Sequence, residues 1–491
     1  MSSTSASITN ELDERTPLIA GSQAQRRTPL PTCQIAALLF VQLSEPVTSQ
    51  SIYPFINELI KGLDIIGGDE RKAGYYAGLL ESLFFACEAL TVLFWSRLSD
   101  SVGRRPVLFV GFTGLSISMI CFGLSRTFPW LVYSRCLAGL LNGYSGVIKS
   151  MMGEITDFSN MAQAFAFIPV VWSVGAMLGP FIGGQLSHPA ERFPWAFSRC
   201  PFWKEYPYFL PCLVVALFPI ASSVVVFLFL QETPHLIARQ VHQVDNSESH
   251  SVPPSLENQY IIIDEVEAIP PMKSVLTRPV LIAVLNYALL SLIDIAFISV
   301  EPLFYATSIQ LGGLGLSPPT IGSLLGLYGL TMGIFQVLSF EKFHDWLGAK
   351  TLLMLALFAN IPIFMLFPMI TLLARTYGLS SITWVALCFQ LCLCIFSDMS
   401  GGCAFIFVTL AAPNKRSLGA TNGFVAAVTA AIHAIGPAAT TSLFAASIEY
   451  NLLNGLLVYI VAIGIVILAL MAASLLPDKM VESNSDVDVD R

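Results

Sequence analysis

Ionisable side chains stand inside stretches that are otherwise almost wholly apolar: Glu45, Glu81, Glu88, Arg135, Asp294, Asp398 and His433. In a bilayer each such group costs at least about 2.5 to 3.5 kcal/mol on insertion scales, so it faces a cavity or a partner. A carboxyl so placed can hold a proton on one side of a barrier and lose it on the other. Arginine never gives up its proton, yet it can keep a carboxylate charged until a solute or a proton competes, which makes a couple of Arg135 with Glu45 or Glu88 reasonable. Glu45 precedes Pro46, which frees backbone carbonyls near the middle of a helix and bends it. Glu301-Pro302 copies that dipeptide nearer a helix end, as a gate residue or an interfacial acid. Trp172, Tyr144, Tyr287 and Tyr328 can stack on a planar or cationic solute, or simply pack.

The elements that must position these groups follow from composition. Of 491 residues, 55% are hydrophobic and 12% charged, and the mean hydropathy is +0.70. That is the signature of a polytopic membrane protein. A spanning helix takes roughly 20 apolar residues, and twelve runs qualify, near 34–56, 74–98, 106–125, 129–152, 161–186, 207–230, 279–304, 318–340, 351–374, 381–410, 418–447 and 452–476. None alternates polar with apolar as barrel strands do. The expected fold is an all-α membrane protein of twelve transmembrane helices in two six-helix halves, residues 34–230 and 277–476. A disordered cytosolic tail (1–33), a Pro-, Ser- and acid-rich cytosolic linker (231–276) and an acidic cytosolic tail (477–491) complete the chain. The third, sixth, ninth and twelfth runs carry no central charge, as expected if every third helix turns outward to lipid around a central cavity.

A repeat ties the halves together. Asp100, Gly103 and Arg105, in the turn Trp95-Ser96-Arg97-Leu98-Ser99-Asp100-Ser101-Val102-Gly103-Arg104-Arg105-Pro106, recur 245 positions later as Asp345, Gly348 and Lys350. Glycine permits a tight turn, the arginines hold it in the cytosol, and Asp100 can pair with an arginine or a helix N-terminus. The same offset from Glu45 falls one turn from Asp294, so the first helix of each half carries a central acid. This turn resembles the loop between the second and third helices of the major facilitator superfamily, with Ser96 where the family usually has glycine. Arg135-Cys136-Leu137-Ala138-Gly139-Leu140-Leu141-Asn142-Gly143 resembles the fourth-helix signature of its proton-coupled members. Gly175, Gly179, Pro180, Gly183 and Gly184 resemble the antiporter motif of the fifth helix, which Gly436-Pro437 partly echoes. Glu45-Pro46 through Tyr53-Pro54-Phe55 looks like the first helix of the zinc-induced-facilitator-like branch, beside the twelve-helix drug:proton antiporters. The resemblance implies that helices 1, 4, 7 and 10 line the cavity and that 3, 6, 9 and 12 are peripheral.

The expected function is secondary active transport, by proton-coupled antiport and efflux of a small organic solute, with Glu45, Glu88, Arg135, Asp294, Asp398 and His433 in the coupling cavity. Asp100, Gly103, Arg104, Arg105, Asp345, Gly348 and Lys350 would gate it. The alternatives are a facilitator for a metal chelate or an organic acid, in which His433 and Asp398 matter more, and a non-transporting solute sensor. The net charge of −8 argues against nucleic acid. No phosphate-binding G-x-x-x-x-G-K-[ST] loop, hydrolase constellation or zinc signature stands out, so neither enzyme activity nor cofactor nor metal is expected. Cys388, Cys392 and Cys394 share one run and suit packing. The expected partners are the bilayer, protons and the solute, with the chain a monomer. Glu14-Arg15-Thr16-Pro17-Leu18-Ile19 resembles an acidic dileucine sorting signal, leaving the vacuolar and the plasma membrane both open. Placing both tails in the cytosol gives that side most of the lysines and arginines, Arg97, Arg104, Arg105, Lys342, Lys350 and Lys415 among them.

Overall fold

A computed structural model describes residues 31–156, 164, 167–230, 276–412 and 418–477. The sorting sequence with Glu14, Leu18 and Ile19, the tails beyond these limits and residues 231–275 lie outside the described residues. Among the described residues twelve helical spans result. In the first half, α1 runs in three pieces, Thr32–Gln42, Ser44–Gln50 and Ile56–Lys61, followed by α2 (Ala73–Val102) and α3 (Arg104–Gly123). Then come α4, in two pieces Phe128–Leu141 and Tyr144–Ile155, α5 (Ile168–Gln185) and α6 (Phe209–Phe229). The second half holds α7 (Arg278–Ala306), α8 (Pro318–Leu347), α9 (Ala349–Tyr377), α10 in two pieces Ser381–Ser397 and Met399–Ala411, α11 (Leu418–Glu449) and α12 (Leu457–Ser474). Ten of the described helical stretches are long and apolar enough to cross a bilayer, α10 counted across its break; α1 and α4 complete the set in pieces.

The breaks have local causes. Pro46 has no N–H to give the carbonyl of Gln42, and α1 is interrupted just there. In α4 the indole of Trp95 fills the space beside Gly143, which a side chain at that position would occupy, and its Nε1 donates to the Leu140 carbonyl freed by the break, at 2.7 Å. The α10 break falls at Asp398.

The sequence repeat is also a structural one. Gly103 (φ 113°, ψ 155°) and Gly348 (φ 75°, ψ 156°) take matching left-handed φ values between the second and third helices of their halves. Arg105 donates to the Phe227 carbonyl at the end of α6, at 2.5 Å. Lys350 does the same at the end of α12, to Ser474 O at 3.1 Å and Leu476 O at 2.5 Å. Each base therefore satisfies carbonyls that the last helix of its own half leaves open. Arg104 gathers the turn itself, bonding Asp100 at 2.9 Å, Ser99 at 2.7 Å and Glu154 of α4 at 2.6 Å. In the second copy Asp345 meets its neighbour His344, at 3.3 Å. Arg105→Ala is expected to remove about 1 kcal/mol and to slow transport while the protein still inserts. Thermal unfolding of solubilised protein beside vesicle transport checks this, and an unchanged transport rate would leave the cap without a functional role.

The halves meet at one end of the bundle. There Lys61 donates to Ala306 O at 3.1 Å, Tyr75 to Glu449 at 3.0 Å and Gln185 to Ser323 at 2.7 Å, while Ser82 accepts from Ala438 N at 2.9 Å. The first three lie near the ends of α1, α5, α7 and α11 and the starts of α2 and α8, opposite the ends that lead to the tails and to residues 231–275, and the Ser82–Ala438 bond lies farther along α2 and α11. Glycines allow the close approach. A Cβ on Gly78 would overlap Thr441 of α11, and one on Gly329 of α8 would lie 2.7 Å from the backbone of Ala176. At the far end Gly423 of α11 has nothing within 4 Å of such a Cβ.

Candidate functional site

Beneath that seal, between the halves, lies a cavity of about 540 Å³, a size suited to a drug-like ligand. Three carboxyls line it, Asp294 and Glu301 of α7 and Asp398 at the α10 break, and among the described lining residues there is no lysine, arginine or histidine. Tyr328 donates to Asp398 Oδ2 at 2.7 Å, and Tyr305 to Glu301 Oε1 at 2.8 Å. Asn360 Nδ2 steadies the α10 break through Ser397 Oγ at 2.7 Å. The rest of the lining is largely aromatic and apolar, with Tyr53, Trp172, Tyr287, Phe297 and Phe405 around Gln50 and Gln336.

The first half holds its own charges in two layers. On α2, Glu81 and Glu88 are seven residues apart, and on α4 so are Arg135 and Asn142, which is two helical turns or about 10 Å. In the layer nearer the seal, Tyr53 hydrogen-bonds Glu81, whose other oxygen accepts from Ser299 of α7 at 3.3 Å. Arg135 completes that layer, with its guanidinium 4.6 Å over the Phe84 ring and the charge of Glu81 beside it. The couple expected from the sequence is corrected here: Arg135 faces Glu81 and Tyr53, and neither Glu45 nor Glu88, because both stand two turns away along their helices. In the second layer Glu45 and Glu88 lie close enough for each charge to act on the other, with Lys149 of α4 acting on both. The buried Asn142 amide also faces these acids.

The remaining expected residues divide clearly. Trp172, Tyr287 and Tyr328 line the cavity, whereas Tyr144 is buried in the first half 4.4 Å from Phe112. His433 is not among the described lining residues; its ring lies tilted against that of Phe85, 5.2 Å between centroids, where α11 meets α2. The resemblance put α4 at the cavity and α9 outside it. Instead α1, α5, α7, α8 and α10 supply the walls and α9 adds Asn360 and Ile363, since α9 packs against the broken helix at Ser397. Of the fifth-helix glycines, Gly175, Gly179 and Gly183 bed against Pro46, Val47, Gln50 and Ser51 of α1, while Gly184 crosses to Pro318 and Gly322 of α8. Sequence reasoning missed the roles of Lys149, Gln50, Tyr53 and the glycine row of α8. Lys149 is visible as a charge inside the fourth run; the others carry no signal until their neighbours are known.

The Major Facilitator Superfamily pattern matches residues 38–437. The chain belongs to that superfamily. Among relatives in this superfamily, the Major facilitator superfamily multidrug transporter mfsB of Aspergillus fumigatus is 28% identical over 85% of this chain and 79% of its own. Protein ZINC INDUCED FACILITATOR 1 of Arabidopsis thaliana is 27% identical over 86% and 85%. A solved D-xylose–proton symporter superposes with a TM-score of 0.64 at 15% identity, over 91% of this chain and 97% of that one. An inward-facing, occupied bacterial homologue of the lysosomal transporter Spinster gives 0.63 at 17% identity and the same coverage. A major facilitator membrane transporter with efflux-pump relatives is thus established.

Proposed function

We propose that this transporter exports a small organic solute in exchange for protons by alternating access. The observation that carries the reading is the Glu45–Glu88 pair, two carboxyls close enough to act on each other beside the Asn142 amide, set apart from a solute-sized cavity in the same molecule. Like charges so placed hold one proton between them at little cost and two negative charges only at high cost. The pair therefore releases or takes up a proton when the halves re-pack and change what faces it. One pH unit across the membrane is worth about 1.4 kcal/mol per proton, roughly a tenfold solute gradient at one-to-one exchange.

The end opposite the seal is assigned to the cytosol, because the basic residues cluster there, and solute enters from that side. The relatives named as a multidrug transporter and an efflux pump support export. The membrane is that of an acidic organelle or the cell surface, and the chain acts as a monomer. The test is uptake of a panel of fluorescent cationic, neutral and anionic dyes into inside-out vesicles, with an acid interior and with the gradient collapsed by a protonophore. Uptake that needs the gradient supports exchange, and uptake indifferent to it makes the protein a facilitator.

A further inference from the structure

We infer that the cavity selects organic cations, held on Asp294 and Asp398 of the second half against an aromatic wall contributed by both halves. This rests on the transporter reading above and names its substrate class.

Three observations converge. Asp294, Glu301 and Asp398 all line one cavity that has no basic side chain among its described lining residues. The buried guanidinium closest in kind to a counter-charge, Arg135, lies outside that cavity beside Glu81. Second, the carboxyls are unequally engaged: Tyr328 and Tyr305 each bond one acid, while Asp294 has no hydrogen-bond partner among the described residues and faces Asp398 across the cavity. An anion entering here meets only carboxyls and hydroxyls, and a neutral solute leaves the unpartnered acid as it was. A cation supplies what the cavity lacks. Third, Tyr53 and Trp172 of the first half oppose Tyr287, Phe297 and Phe405 of the second, and ring faces stabilise a cation after it has lost its water. Glu45 and Glu88 are not among the lining residues, so solute and N-terminal carboxyl pair occupy separate places.

Binding makes and breaks no bond: the cation pairs with the carboxylates of Asp294 and Asp398, acid weakens it by neutralising them, and the proton exchanged against the gradient stays with the Glu45–Glu88 pair. The titratable groups facing Asp294 and Asp398 are Glu301, Tyr287, Tyr328 and Cys394, with no fixed positive charge among them.

The full chain in lipid nanodiscs would be titrated with tetraphenylphosphonium and with tetraphenylborate, near-identical in shape and opposite in charge, with empty nanodiscs as the partition control. Saturable phosphonium binding, at least tenfold weaker in Asp294→Asn and in Asp398→Asn and weakened by acid in the unaltered protein, supports the inference. Borate bound as tightly as phosphonium, or wild-type phosphonium affinity in the Asp294→Asn/Asp398→Asn protein, overturns it. Should the variants fail to elute as monodisperse protein, the charge comparison and acid dependence in the unaltered chain decide alone. Phosphonium binding without gradient-dependent dye uptake would sink proton exchange and keep cation selection; gradient-driven uptake of anionic dyes alone would do the reverse.

Discussion

Glu45→Gln abolishes uphill accumulation of solute and leaves solute-for-solute exchange largely intact. Glutamine keeps the shape of the protonated acid but can neither release nor take a proton, so the Glu45–Glu88 pair loses the titration that links it to a gradient. The accumulation ratio should then fall from the roughly tenfold that one pH unit supports to about one. Exchange of labelled for unlabelled solute moves no net proton and needs only the cavity and the re-packing of the halves, neither of which includes Glu45. Glu88→Gln should resemble it, because each acid is the other's partner. Counterflow and gradient-driven uptake in the same vesicles separate the two activities. Retained accumulation in Glu45→Gln moves the carrier role to Asp294 or Asp398. Arg135→Lys tests the other layer, since a lysine offers a compact charge in place of the planar guanidinium that lies over Phe84 and beside Glu81.

The next largest effect is expected at two adjacent glycines with opposite consequences. A side chain on Gly184 would overlap the Pro318 carbonyl of α8 and come 2.8 Å from Gly322 Cα, a clash between the halves. One on Gly183 would overlap the Ser51 carbonyl of α1, a clash inside the first half. Overpacking costs about 1 to 3 kcal/mol. In Gly184→Val that strain exists only while the seal is shut, so it shifts the balance between the two states by roughly 5- to 150-fold toward the one open at that end. In Gly183→Val it is present in both states and lowers stability instead. Spin labels on cysteines placed at Glu191 and Gln310, in the loops after α5 and α7, report the first as a shift to longer distances. Thermal unfolding reports the second. An unchanged distance distribution in Gly184→Val would show that the α5–α8 seam does not hold the seal.

Much of this was legible because a membrane leaves few options. Backbone groups in hydrocarbon must pair within a helix, so twelve apolar runs give twelve spans, and charges within them stand out. The 245-residue offset is equally visible, and its physical content, a base capping the last helix of each half, follows from a motif that lies beside the helix it caps. Pairing is not legible in the same way: a run of apolar residues does not say which acids on two neighbouring helices stand level with Arg135.

The sequence by itself determined the spans, the duplication, the superfamily resemblance and the presence of acids in the membrane, since each depends on local hydropathy or on residue spacing along one chain. Only the tertiary structure decided that the cavity acids belong to α7 and α10, that Glu45 and Glu88 act on each other away from that cavity, and that His433 and Tyr144 stand outside it. Helix rotation and level are set by which surfaces approach closely, as at the glycines of α5 and α8, and that is a property of pairs of helices which no single run encodes.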